Sequence, residues 1–108
     1  MNEYQDKALR TARDKRSRDE VFHLLLGLAG ETGEIMEKAK KVVRDKGSDF
    51  GSDEFKEDIK KELGDVLWYI AVLAHYLDLN LEDIAQTNLE KLRSRQARGV
   101  LGGSGDDR

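Results

Sequence analysis

The sequence contains no cysteine and no proline. Without cysteine the chain can form no disulfide, thiolate zinc site or cysteine nucleophile, and a reducing compartment such as the cytoplasm suits it. Charged residues at 38% balance hydrophobic ones at 38%, which together with the missing proline suits a surface-rich helical protein rather than a sheet or a disordered chain. There is no apolar stretch of signal-peptide type and none near the ~20 residues that span a bilayer, so neither export nor membrane insertion is expected. An excess of positive charge is also lacking. The net charge of −3 leaves no electrostatic footprint for duplex nucleic acid. With 108 residues, the chain can own one hydrophobic core.

What is present is helical periodicity. Tyr4, Ala8, Leu9 and Ala12 open a short amphipathic segment that fades into the charged run from Arg13 to Glu20, read as a connector. From about Glu20 to Lys46 the residues Val21, Leu25, Leu28, Ala29, Ile35, Met36, Ala39, Val42 and Val43 recur three or four apart, and Gly47-Ser48 supplies a stop. A third helix is expected from about Asp53 to Leu77, with Ser52 or Asp53 as cap and Leu63 central in its stripe. Trp68, Tyr69, Val72 and Tyr76 make it apolar nearly all round, which calls for burial against a second subunit. A fourth helix is expected from Leu81 to about Arg98, with Ile84, Ala85, Leu89 and Leu92 inward. The expectation is an all-α four-helix bundle over residues 1–98 that assembles as a homo-oligomer, followed by a flexible glycine-rich tail, residues 99–108.

Two helices carry matched carboxylate pairs. Glu31-Thr32-Gly33-Glu34 and Glu62-Leu63-Gly64-Asp65 each place two acids at i and i+3, one turn apart on one face, so each pair can clamp a cation. Both pairs border an apolar stripe and should be partly buried. Burying four like charges is costly unless they are protonated or joined by a metal. Hard oxygen ligands favour magnesium or manganese over zinc. Glycine inside each pair points to close helix approach or to room for a ligand. Acidic pairs at this spacing also arise on solvated helices; the matched form, with glycine inside and apolar residues beside, is what singles these out. Asn88, Lys91 and Arg95, at i, i+3 and i+7, share a face suited to phosphate or sugar oxygens, or one that is merely a solvated basic helix end. Lys40 and Lys41 close the second helix and could gather phosphate.

The segments Gly27-Leu28-Ala29-Gly30-Glu31-Thr32-Gly33-Glu34, Glu62-Leu63-Gly64-Asp65-Val66-Leu67-Trp68-Tyr69 and Asn88-Leu89-Glu90-Lys91-Leu92-Arg93-Ser94-Arg95, in that order, resemble MazG-like proteins of the all-α NTP pyrophosphohydrolase superfamily, whose signature is E-x-x-E followed by E-x-x-D. Residues 35–61, 27 in all, form the spacer, and the likeness covers roughly residues 4–98. The resemblance implies Mg²⁺-dependent hydrolysis of a nucleoside triphosphate, in particular a deoxynucleotide, to the monophosphate and pyrophosphate, with Mn²⁺ as a substitute. It implies that Glu31, Glu34, Glu62 and Asp65 hold the metal and that Asn88, Lys91 and Arg95 contact phosphate. Glu31 is the first choice of general base. Some relatives carry a further glutamate where this chain has Gly30, which leaves the base and the number of metals open. Tyr69, one turn beyond Asp65, could pack against the deoxyribose; Trp68 could stack on a base or fill a core or interface. The tail from Gly99 to Arg108 could fold over bound nucleotide. Relatives of this length are dimers or tetramers. The competing expectation is a non-catalytic helical oligomerisation module with merely solvated carboxylates.

Overall fold

The computed structural model describes residues 1–12 and 18–99. Four helices form, α1 (Asn2–Leu9), α2 (Arg18–Asp45), α3 (Asp53–Tyr76) and α4 (Leu81–Ala97), and no strand occurs among the described residues. The chain is therefore all-α, with helix bounds within a few residues of those expected. α2 starts inside the charged run, at Arg18; the rest of that connector, residues 13–17, and the tail beyond Gly99 lie outside the described residues.

Local chemistry sets these bounds. α2 ends where Gly47 and Ser48 take positive φ of 58° and 61°, a left-handed step that glycine enters without steric penalty. Ser52 caps α3 by accepting a hydrogen bond from the Phe55 amide at 3.1 Å, and Phe50 meets Phe55 edge-on across the same turn. Asn80 caps α4 by accepting from the Asp83 amide at 2.8 Å.

The main helix contacts run between α2 and α3 and between α1 and α3, with a smaller one between α1 and α4. α3 is thus shared by two neighbours, which explains much of its all-round apolar character without a second subunit. Its Ala71 and Ala74 are buried with Ala8 of α1 and Leu81 of α4, and Tyr4, Trp68 and Ile70 pack on that cluster. The small alanines let α1 lie close against α3.

α2 has two apolar stripes that interleave in sequence. Leu24 and Val42 are buried, with Leu28 and Ile35 half-buried between them on the stripe that closes against α3. Phe22, Leu25, Leu26, Met36 and Val43 occupy the other side and are exposed. The expected single stripe is corrected accordingly: Leu25, Met36 and Val43 are not core residues of this chain. Leu63, expected at the centre of the α3 stripe, is 54% exposed. On α4, Leu81 is buried, whereas Ile84, Leu89 and Leu92 are exposed, with no helix among the described residues closing on that face.

Gln5 ties the three segments together. Buried to 5% exposure, its Nε2 donates to the carbonyls of Ala71 and Leu79, both at 3.1 Å, and its Oε1 accepts from the Leu81 amide at 3.1 Å. One side chain thus fixes α1 against α3 and sets the turn into α4. Leaving a buried polar group unpaired costs roughly 1–3 kcal/mol. Gln5→Ala is therefore expected to lower the unfolding free energy in urea by at least about 2 kcal/mol, and a loss below about 0.5 kcal/mol, the usual range of surface changes, would contradict the assignment.

Candidate active site

The α2–α3 hairpin places the acidic motifs opposite one another. Glu31 projects from the inner stripe of α2, and Glu62 and Asp65 project from α3; one carboxylate oxygen from each lies within 4.8 Å of the others. Glu31 and Glu62 are half-buried and Asp65 is exposed. Glu34 is exposed and lies outside this trio, although its charge still reaches Glu31. Three anionic oxygens converging from two helices form a donor set that fits a hard divalent cation, with positions left for water or phosphate.

The electrostatics of the cluster centre on Glu31. Desolvation holds its carboxyl above the ordinary carboxylate range, reinforced by the charges of Asp65 and Glu62, a hydrogen bond with Glu62 and the charge of Glu34. Lys38 approaches the cluster from α2, with its Nζ 3.9 Å from Glu62 Oε1. Sequence reasoning passed over Lys38; the available signal was its position seven residues after Glu31, two turns along the same face.

Beside the trio lies a cleft of about 310 Å³ lined by Glu31, Asp65, Trp68 and Tyr69. Trp68 is fixed by its indole N–H, which donates to Thr11 Oγ1 at 2.7 Å; that hydroxyl donates in turn to the Ala8 carbonyl at 2.7 Å. Trp68 thus packs on the core cluster and also walls the cleft. Tyr69 stands edge-on to it, with ring centroids 5.0 Å apart and planes at 85°. Gly27 makes this placement possible, because a Cβ there would fall on the Tyr69 ring. The close approach between α2 and α3 is therefore at Gly27. A Cβ on Gly33 or Gly64 would meet nothing within 4 Å, so those two glycines mark open space beside the carboxylates.

The basic face of α4 stands apart from this cleft. Asn88 and Lys91 line a separate hollow of about 380 Å³ with Leu79, Asp83, Ile84 and Thr87, and Arg95 is half-buried farther along α4. Lys41 lines a third hollow, of about 320 Å³, together with Lys38 and Lys46 at the turn end of the hairpin. Lys40 is exposed.

A raised carboxyl pKa has a definite consequence for stability. The folded chain keeps a proton on Glu31 at pH values where the unfolded chain has released it, so the stability this provides is complete below the ordinary Glu pKa and is lost as pH rises through the folded value. Without divalent cations, folding brings Glu31 beside Glu62 and Asp65, where its charged form is disfavoured. Glu31→Gln is expected to melt higher than wild type in EDTA at pH 7.5, with the gap closing toward about pH 4; equal melting temperatures at neutral pH would contradict this.

Comparison with known proteins gives the cluster a context. The sequence model of the MazG nucleotide pyrophosphohydrolase domain matches residues 20–100, a span that contains both acidic motifs, the cleft and all of α4. The Gene 37 protein of Mycobacterium phage L5 is 47% identical over 97 residues, covering 90% of this chain and 84% of that protein. No solved structure matches the chain significantly. Among the described residues, no helix is long and apolar enough to cross a membrane.

Proposed function

The chain belongs to the MazG nucleotide pyrophosphohydrolase family, and from that premise we propose that it hydrolyses nucleoside triphosphates, deoxynucleotides above all, to the monophosphate and pyrophosphate, with Mg²⁺ as cofactor and Mn²⁺ as a substitute. The observation that carries this reading is the convergence of Glu31, Glu62 and Asp65 within 4.8 Å beside an aromatic-walled cleft. Clearing non-standard or surplus nucleotides from the cytoplasmic pool is the role this chemistry fits.

Glu31, Glu62 and Asp65 would hold the cation, with Glu34 one turn from Glu31 completing the set. When bound, the cation supplies neutralisation of phosphate charge and acidification of a water molecule. Glu31 is the first choice of acceptor for the water's proton, because it lines the cleft and stands within reach of both Glu62 and Asp65. Trp68 and Tyr69 form the apolar wall on which the nucleoside would rest, Tyr69 against the sugar and Trp68 at the base. The edge-on contact between the two rings and the anchoring of Trp68 through Thr11 hold that wall rigid before substrate arrives.

Asn88, Lys91 and Arg95 would serve phosphate from α4, and their separation from the cleft within one chain favours an active unit larger than the monomer. The exposed stripe Phe22, Leu25, Leu26 and Met36 on α2 supports assembly as a homodimer or homotetramer. That stripe also favours the second reading, a helical oligomerisation module without catalysis. Incubation with canonical and modified dNTPs, with and without Mg²⁺, separates the two. The enzyme reading expects Mg²⁺-dependent release of pyrophosphate from at least one dNTP, and a loss of at least about 100-fold in Glu62→Gln, with the light-scattering mass unchanged. No turnover of any nucleotide, or full activity in Glu62→Gln, would overturn it.

A further inference from the structure

The hairpin arranges its chemistry along a line. Tyr69 meets α2 at Gly27, Asp65 and Glu62 meet it at Glu31, and Glu62 is reached again from Lys38, two turns or about 10 Å farther along α2. Lys38 then opens onto the hollow it shares with Lys41 and Lys46, which the carboxylates of Asp45, Glu54 and Asp58 also line. The cluster therefore has an aromatic end and an ammonium end, with the carboxylates between them. Lys46 is engaged by Glu54 at 3.3 Å, so Lys38 is the ammonium that both faces this hollow and touches the acidic trio.

The Lys38–Glu62 contact is a loose one. At 3.9 Å it exceeds the 2.7–2.9 Å of a charge-assisted hydrogen bond, and the Lys38 side chain is 33% exposed while that of Glu62 is 17% exposed. A half-buried carboxylate surrounded by other carboxylates needs a counter-charge, and Lys38 supplies it from a flexible four-carbon stem. A divalent cation held by Glu31, Glu62 and Asp65 would take over that role, and like-charge repulsion would then move the ammonium off Glu62 while leaving it beside the cluster.

Resting on the pyrophosphohydrolase reading above, we propose that Lys38 has two successive partners. It neutralises Glu62 in the cation-free chain and binds the outer phosphates of the nucleotide once the cation is in place. The substrate accordingly lies along the hairpin in one sense, with its nucleoside against Trp68 and Tyr69 and its departing pyrophosphate toward Lys38 and Lys41.

Calorimetric titration of the full chain tests this directly, first with Mn²⁺ alone and then with inorganic pyrophosphate at saturating Mn²⁺. Lys38→Met, which keeps the aliphatic stem, is expected to bind Mn²⁺ more tightly than wild type, because a competing charge is gone, and to bind pyrophosphate about tenfold more weakly. Lys38→Arg is expected to restore most of the pyrophosphate affinity, which a merely structural role of the stem would not produce. Unchanged pyrophosphate affinity in Lys38→Met would overturn the assignment of Lys38 and leave the enzyme reading standing. Wild-type protein that binds neither Mn²⁺ nor pyrophosphate would overturn both.

Discussion

Repulsion among three carboxylates is the constraint around which this small protein is organised. Two helices hold Glu31, Glu62 and Asp65 within 4.8 Å of one another, an arrangement that opposes folding unless something positive or a proton offsets it. The chain meets this partly by keeping Asp65 at the surface, partly by the raised proton affinity of Glu31 and partly by Lys38. None of these is a full neutralisation. The residual imbalance is what a divalent cation would relieve, so the instability and the proposed chemistry would have one source.

Holding like charges together requires a stiff frame, and α3 provides it. One side of α3 faces α2 and carries the acids; the other is pinned to α1 through Ala8, Ala71 and Ala74, and Gln5 locks the same region to the start of α4. Trp68 joins the two sides, because it packs on the α1 cluster, donates to Thr11 and walls the cleft. A disturbance in the α1 contact would therefore reach the cleft through this one indole.

Much of this was legible in the sequence because helix ends and acid spacing are local properties. Ser52 and Gly47 marked the ends, and E-x-x-E with E-x-x-D indicated which carboxylates share a face. What stayed hidden depends on which face meets which neighbour. The two stripes of α2 interleave at spacings of three and four, so periodicity alone read Leu25 and Met36 together with Leu28 and Ile35. Gly27 looked like part of a motif, and its role became visible only once the Tyr69 ring stood over it. Lys38 was one lysine among several at the end of α2 until α3 brought Glu62 beside it. Glu34, paired with Glu31 by spacing, stands outside the trio that contact across the hairpin assembles from Glu31, Glu62 and Asp65.

The central claim is that these carboxylates form one divalent-cation site in each chain. Electron paramagnetic resonance of Mn²⁺ titrated into nucleotide-free protein addresses it most directly. The account predicts a saturable population of bound Mn²⁺ in wild type that Mg²⁺ displaces and that the double variant Glu31→Gln, Asp65→Asn lacks while retaining its helical circular dichroism. Mn²⁺ binding of equal strength in that double variant would contradict it.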